Sequence, residues 1–86
     1  MFELLKQKGY KGKKDHLQAL AWLKALGIYI EISIVWAEGG EQIYGYYAKC
    51  WLKPYKNAYI TNTVNTFKDA IEGAVYSLID YIPEVK

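Results

Sequence analysis

The chain has 86 residues, of which 52% are hydrophobic and 16% aromatic. That describes one domain, residues 1–86, too apolar for disorder. A domain of this size buries roughly 60–65% of its unfolded surface, which leaves a thin core and little room for a cofactor or small-molecule substrate cavity. Eleven basic residues face nine acidic ones for a net charge of +2, and every basic residue is lysine. The balance is uneven: Lys6, Lys8, Lys11, Lys13, Lys14 and Lys24 crowd the first third, while Asp69, Glu72, Asp80 and Glu84 make the last segment acidic. Cys50 is the one cysteine and His16 the one histidine, so neither a disulfide framework nor a Cys/His metal site is expected. The start lacks a signal-peptide apolar stretch. The strongest apolar run, Ile28 to Ala37, carries Glu31 and Ser33 and falls short of a membrane span. The expectation is a cytoplasmic protein with no membrane partner and no cofactor.

Phe2 to Lys8 reads as a short helix ended by Gly9, and Gly9 to Lys14 as a basic loop. Asp15 fits an N-cap with Gln18 as its capping-box partner, and Leu17, Leu20, Ala21, Leu23 and Leu26 carry a helix to Gly27. From Ile28 the period becomes two. Ile28, Ile30, Ile32, Ile34 and Trp36 face one way, and Tyr29, Glu31, Ser33 and Val35 the other. Glu38-Gly39-Gly40-Glu41 is a hairpin turn before a second strand, Ile43 to Leu52. Pro54 ends that strand, Tyr55-Lys56-Asn57 turns the chain, and Ala58 to Thr63 supplies a third strand. Thr66 caps the last helix with Asp69 as partner. Phe67, Ala70, Ile71, Ala74, Val75, Leu78, Ile79 and Ile82 form its apolar stripe, and Pro83 stops it. The expected fold is α+β: a three-stranded antiparallel meander with two helices packed on one face (α-β-β-β-α), plus the short N-terminal helix.

The hairpin register decides which side chains face outward. A two-residue Gly39-Gly40 loop pairs Trp36 with Ile43 and drives Lys49 onto the isoleucine face. A three-residue loop with a glycine bulge shifts the parity by one. Lys49 then stands beside Glu31 on the opposite face, and that register is preferred because it keeps the lysine out of the core.

The face without helices is the first candidate site. Tyr29, Glu31, Tyr47, Lys49, Trp51 and Tyr59 would present aromatic area edged with charge, which suits a protein partner or self-association. Aromatics and lysines on a sheet also suit single-stranded nucleic acid. The basic loop is the second site, with Lys11, Lys13 and Lys14 on phosphates and Tyr10 stacking. Missing arginine places nucleic acid second to protein, since arginine supplies the bidentate contacts. The third is a helix interface at Gly73, Tyr76 and Ser77, where a mid-helix glycine away from the apolar stripe would let another chain approach. No residues form a catalytic or metal constellation: His16 and Cys50 fall on a helix start and a core position, and the acidic groups of the last helix form a solvated face.

Gly9-Tyr10-Lys11-Gly12 between two helices resembles the GxxG clamp of KH domains, which implies backbone contacts to nucleic acid. The order helix, three strands, helix is similar to double-stranded RNA-binding domains in fold. The segment Thr66-Phe67-Lys68-Asp69-Ala70-Ile71-Glu72-Gly73-Ala74 resembles the helix start of HicB-type antitoxins, which neutralise an RNA-cleaving partner. Four stretches, Leu4–Gly12, Ala19–Leu23, Gly27–Ile32 and Thr66–Glu72, are similar to small uncharacterised proteins of gut-bacterial phages and mobile elements. That resemblance implies an accessory role. The expected function is a small non-enzymatic protein-binding module of the interaction or inhibitor type. The alternative is an RNA- or DNA-binding module using loop 9–14 and the aromatic sheet face.

Overall fold

The structure is a computed structural model that describes residues 1–52 and 59–84. Helix α1 covers Phe2–Gln7 and buries Leu5. Gly9 adopts φ 106°, a conformation that costs glycine nothing, and the Tyr10 amide donates to the Leu5 carbonyl at 2.9 Å. Helix α2 covers His16–Ala25, and the Asp15 carboxylate accepts from the amides of Leu17 and Gln18. The reciprocal capping box expected there is corrected. Gln18 turns its side chain to the loop, where its Oε1 accepts from the Lys13 amide at 2.6 Å.

Gly27, at φ 87°, turns α2 into strand β1 (Ile28–Trp36), which pairs antiparallel with β2 (Ile43–Leu52). At the turn the Ala37 amide donates to the Gln42 carbonyl at 2.8 Å and the Gly40 amide to the Ala37 carbonyl at 2.9 Å. Trp36 stands opposite Ile43, the tip pairing of the shorter loop. The register then shifts, because Val35 stands opposite Gly45 and Tyr44 is the extra residue. Below this bulge Glu31 faces Lys49 and Ile32 faces Ala48. The parity is therefore the one that keeps Lys49 off the isoleucine face, reached by a bulge inside β2 instead of a longer loop.

The expected three-stranded meander is not what forms. The sheet is a two-stranded antiparallel hairpin, and beyond β2, among the described residues, Tyr59–Ile60 alone adds a short ladder, opposite Cys50 and Lys49. Thr61 explains the interruption. Its amide donates to the Ala48 carbonyl at 2.9 Å, but its own Oγ1 takes the Ala48 amide at 2.8 Å, so a side chain replaces the next backbone acceptor. Pairing returns once, as a bridge between Tyr46 and Val64. The expected turn at Pro54 to Asn57, and Ala58 at the start of the expected third strand, lie outside the described residues.

Helix α3 covers Phe67–Leu78, capped by Thr66 Oγ1 on the Asp69 amide at 3.0 Å. The expected continuation to Ile82 is a single 3₁₀ turn at Ile79–Tyr81, after which Ile82 is extended at ψ 117°. A residue before proline disfavours helix, and Pro83 follows. Leu5, Leu23, Ile28, Cys50, Ile71, Val75 and Ile82 meet in one core between α1, α2, α3 and the isoleucine face. The strands are about 30 Å long and the helices about 15–18 Å, so the hairpin outruns its cover. On the same face as the core, its distal end leaves Ile34 44%, Trp36 55% and Ile43 46% exposed.

At Gly45 two backbone segments approach closely. A Cβ there would stand 2.6 Å from the Val64 carbonyl oxygen, while Tyr46 and Val64 exchange two backbone hydrogen bonds of 2.8 Å. Gly45→Ala is expected to cost about 1–3 kcal/mol through forced displacement of that backbone. Urea denaturation checks this, and an unchanged midpoint would contradict the close approach.

Candidate functional site: the outer face of the hairpin

With both long helices on the isoleucine face, the outer face carries Tyr29, Glu31, Ser33 and Val35 from β1 opposite Trp51, Lys49, Tyr47 and Gly45 from β2. No described helix lies over it, and Thr63 and Val64 close on it at Gly45. Tyr29 and Trp51 stack at 6.0 Å between centroids with planes 15° apart. Such a pair is worth about 0.5–1.5 kcal/mol beyond its buried area and presents a preordered aromatic surface. Glu31 and Lys49 are exposed register partners, and at an exposed site that pairing contributes little to stability.

The structure thus gathers Tyr29, Glu31, Tyr47, Lys49 and Trp51 on one surface. Tyr59 stands opposite Cys50 in the backbone register, and its side chain lies outside what the structure describes. Ile60, opposite Lys49, takes the outer parity and is exposed.

In the basic loop, Lys11, Lys13 and Lys14 are exposed. Tyr10 is turned inward and 5% exposed, with Trp22 edge-on at 5.4 Å and Phe2 at 6.2 Å. Its hydroxyl donates to the Lys13 carbonyl at 2.6 Å and lies 3.0 Å from Gln18 Oε1. Burial, and secondarily the Asp15 charge, push the phenol pKa upward, so it remains a donor. Tyr10 therefore clasps the loop onto α2, and the lysines alone face solvent.

On α3, Gly73 has open space around it. The Ser77 hydroxyl donates to the Gly73 carbonyl at 2.9 Å, and the Tyr76 hydroxyl accepts from the Met1 nitrogen at 2.8 Å. Both polar side chains are engaged within the chain. His16 Nε2 is buried without a hydrogen-bond partner, 3.9 Å from Glu72 Oε2, and Phe2 packs edge-on against its ring. Burial pushes the Cys50 thiol up to about 11, so it stays protonated at neutral pH and packs as a small hydrophobe.

The residues that sequence reasoning missed are Ile34 and Trp36 at the distal tip. Comparing strand length with helix length was the available signal. Among the described residues, no helix is long and apolar enough to cross a membrane and no acidic, His and Cys cluster could hold a metal.

Because a methyl at Gly73 meets nothing, Gly73→Ala is expected to raise stability by up to about 0.8–1 kcal/mol from helix propensity alone. Denaturation checks the gain. A loss of stability, or of self-association by sedimentation, would make this flank a packing surface.

Comparison with known proteins gave no matching family model, no matching curated protein and no matching solved structure.

Proposed function

We propose that the chain is a small non-enzymatic protein-binding module of the interaction or inhibitor type, with the outer hairpin face as its contact surface. The observation that carries this reading is the Tyr29–Trp51 stack on a sheet face that no described helix covers, flanked by Glu31, Lys49 and Tyr47. Aromatic anchors preordered by stacking lose little side-chain entropy on binding, and such residues dominate binding energy in protein interfaces. The inward-turned Tyr10 favours this reading over nucleic-acid binding through loop 9–14, because it leaves that loop lysines without an aromatic platform. The resemblance to small phage and mobile-element proteins supports an accessory role of this kind.

The test compares three baits in extracts of the native host: the unaltered chain, a Tyr47→Ser/Trp51→Ser variant, and a Lys11→Gln/Lys13→Gln/Lys14→Gln variant. The sheet-face variant is expected to stay folded by circular dichroism and to lose its protein partner, while the loop variant keeps it. Capture that survives the sheet-face changes contradicts the reading. So does tight binding of single-stranded RNA or DNA oligonucleotides that falls steeply with salt and is lost in the loop variant, since steep salt dependence reports released phosphate counterions.

A further inference from the structure

The sheet has one long margin with no described partner. β2 lies between β1 and the Tyr59–Ile60 segment, which leaves β1 an edge of nine residues. Edges of this length are normally blunted by charge, proline or bulges. β1 contains no proline, one charge at Glu31, and its register irregularity falls at its last step.

The hydrogen-bond phase of this edge follows from β2. The backbone groups of Tyr46 and Ala48 bond to Val64 and Thr61, away from β1. Their register partners Ile34 and Ile32 must therefore point their amide and carbonyl outward, because antiparallel pairs alternate between bonded and non-bonded. By the same alternation Ile28 and Ile30 also point outward, and Tyr29, Glu31, Ser33 and Val35 bond to β2. The free donors and acceptors of the edge thus sit on the four isoleucines and on Trp36, whose neighbour Ala37 is bonded to Gln42.

The two ends of the edge complement each other. At the proximal end, a hollow of about 280 Å³ is lined by Leu20, Ala21 and Lys24 of α2, by Tyr29, Ile30 and Glu31 of β1, and by Trp51 of β2. Ile30 and its two neighbours belong to opposite faces, so the hollow lies alongside the strand. At the distal end, Ile34 and Trp36 on the core-side face are about half exposed, with no described helix over them.

We infer that β1 pairs antiparallel with β1 of a second copy about a two-fold axis at Ile32. Ile32 then meets the partner's Ile32, Ile30 meets the partner's Ile34, and Ile28 meets the partner's Trp36. Every one of these pairs joins outward-pointing backbone groups. The partner's Ile34 and Trp36 are delivered beside Leu20, Ala21 and Ile30, and Glu31 stands opposite the partner's Ser33. An axis at Glu31 would set two carboxylates opposite each other, which is repulsive. The rim of the hollow carries Lys24 and Glu31, so the edge is neutral toward its own copy. There is room for both helical layers: α2 reaches β1 through the turn at Gly27 and, at about 15 Å, covers only half of a strand of about 30 Å. The two-fold places the second α2 over the other half. This pairing runs along the edge; its hollow shares Tyr29, Glu31 and Trp51 with the outer face, and the Tyr47→Ser variant separates the two surfaces.

Sedimentation velocity and amide hydrogen exchange across a concentration series test the inference. The unaltered chain is expected to double its mass as concentration rises, with protection gained at the Ile30, Ile32 and Ile34 amides. Ile34→Pro removes an outward amide without touching a bond to β2, and Ile34→Lys places a charge on an already exposed position. Both are expected to remain folded by circular dichroism and to be monomeric, while Tyr47→Ser on the outer face still dimerises. A chain that stays monomeric at every concentration overturns the inference. So does a dimer that persists in both Ile34 variants, or one that Tyr47→Ser abolishes while they keep it.

Discussion

One extra residue in β2 sets the arrangement of the whole molecule. With Tyr44 bulged out, Lys49 stands opposite Glu31 and Ala48 opposite Ile32. Without it every side chain of β2 below the tip would change face, since the side-chain period of a strand is two. Lys49 and Trp51 would then press against α3, and Ala48 and Cys50, both fully buried, would face water. The small size of Ala48 and Cys50 matters in the same way. They leave room on the inner face for Ile71 and Val75 of α3, so a thin core still closes. The aromatic outer face is thus the consequence of where the bulge falls.

A second constraint is length. Strands of nine and ten residues outrun helices of ten and twelve, because a strand rises more than twice as far per residue as a helix. The molecule measures 48 × 29 × 17 Å, and its far end is a hairpin with no helical cover. An inner face that is core at one end and surface at the other is how Ile34 and Trp36 come to be exposed. The same mismatch leaves β1 as a long open edge, so surface chemistry and sheet geometry have a common origin.

Much of this was legible in the sequence because its signals are local. Asp15 and Thr66 are caps whose oxygen needs only the next turn, Gly9 and Gly27 sit at positive φ where helices end, and the run of alternating isoleucines names its own buried face. What was not legible depends on distant partners. Tyr10 reads as a loop aromatic, but Phe2, Trp22 and Gln18 converge to bury it. The third strand reads well from Ala58 to Thr63, yet the Thr61 hydroxyl takes an amide that strand pairing needed. The tip showed the limit most clearly: two loop lengths were weighed as alternatives, and the chain combines the tip pairing of one with the parity of the other.

The account stands on the register below the bulge, and proton NMR reads that register directly. In an antiparallel ladder, Hα–Hα contacts appear across non-hydrogen-bonded pairs, whose Cα atoms approach to about 4.5 Å. Contacts of Ile32 with Ala48 and of Ile34 with Tyr46 are the result predicted. A contact of Ile32 with Tyr47 in their place would mean an unbulged hairpin, a different outer face, and a contradiction of the account.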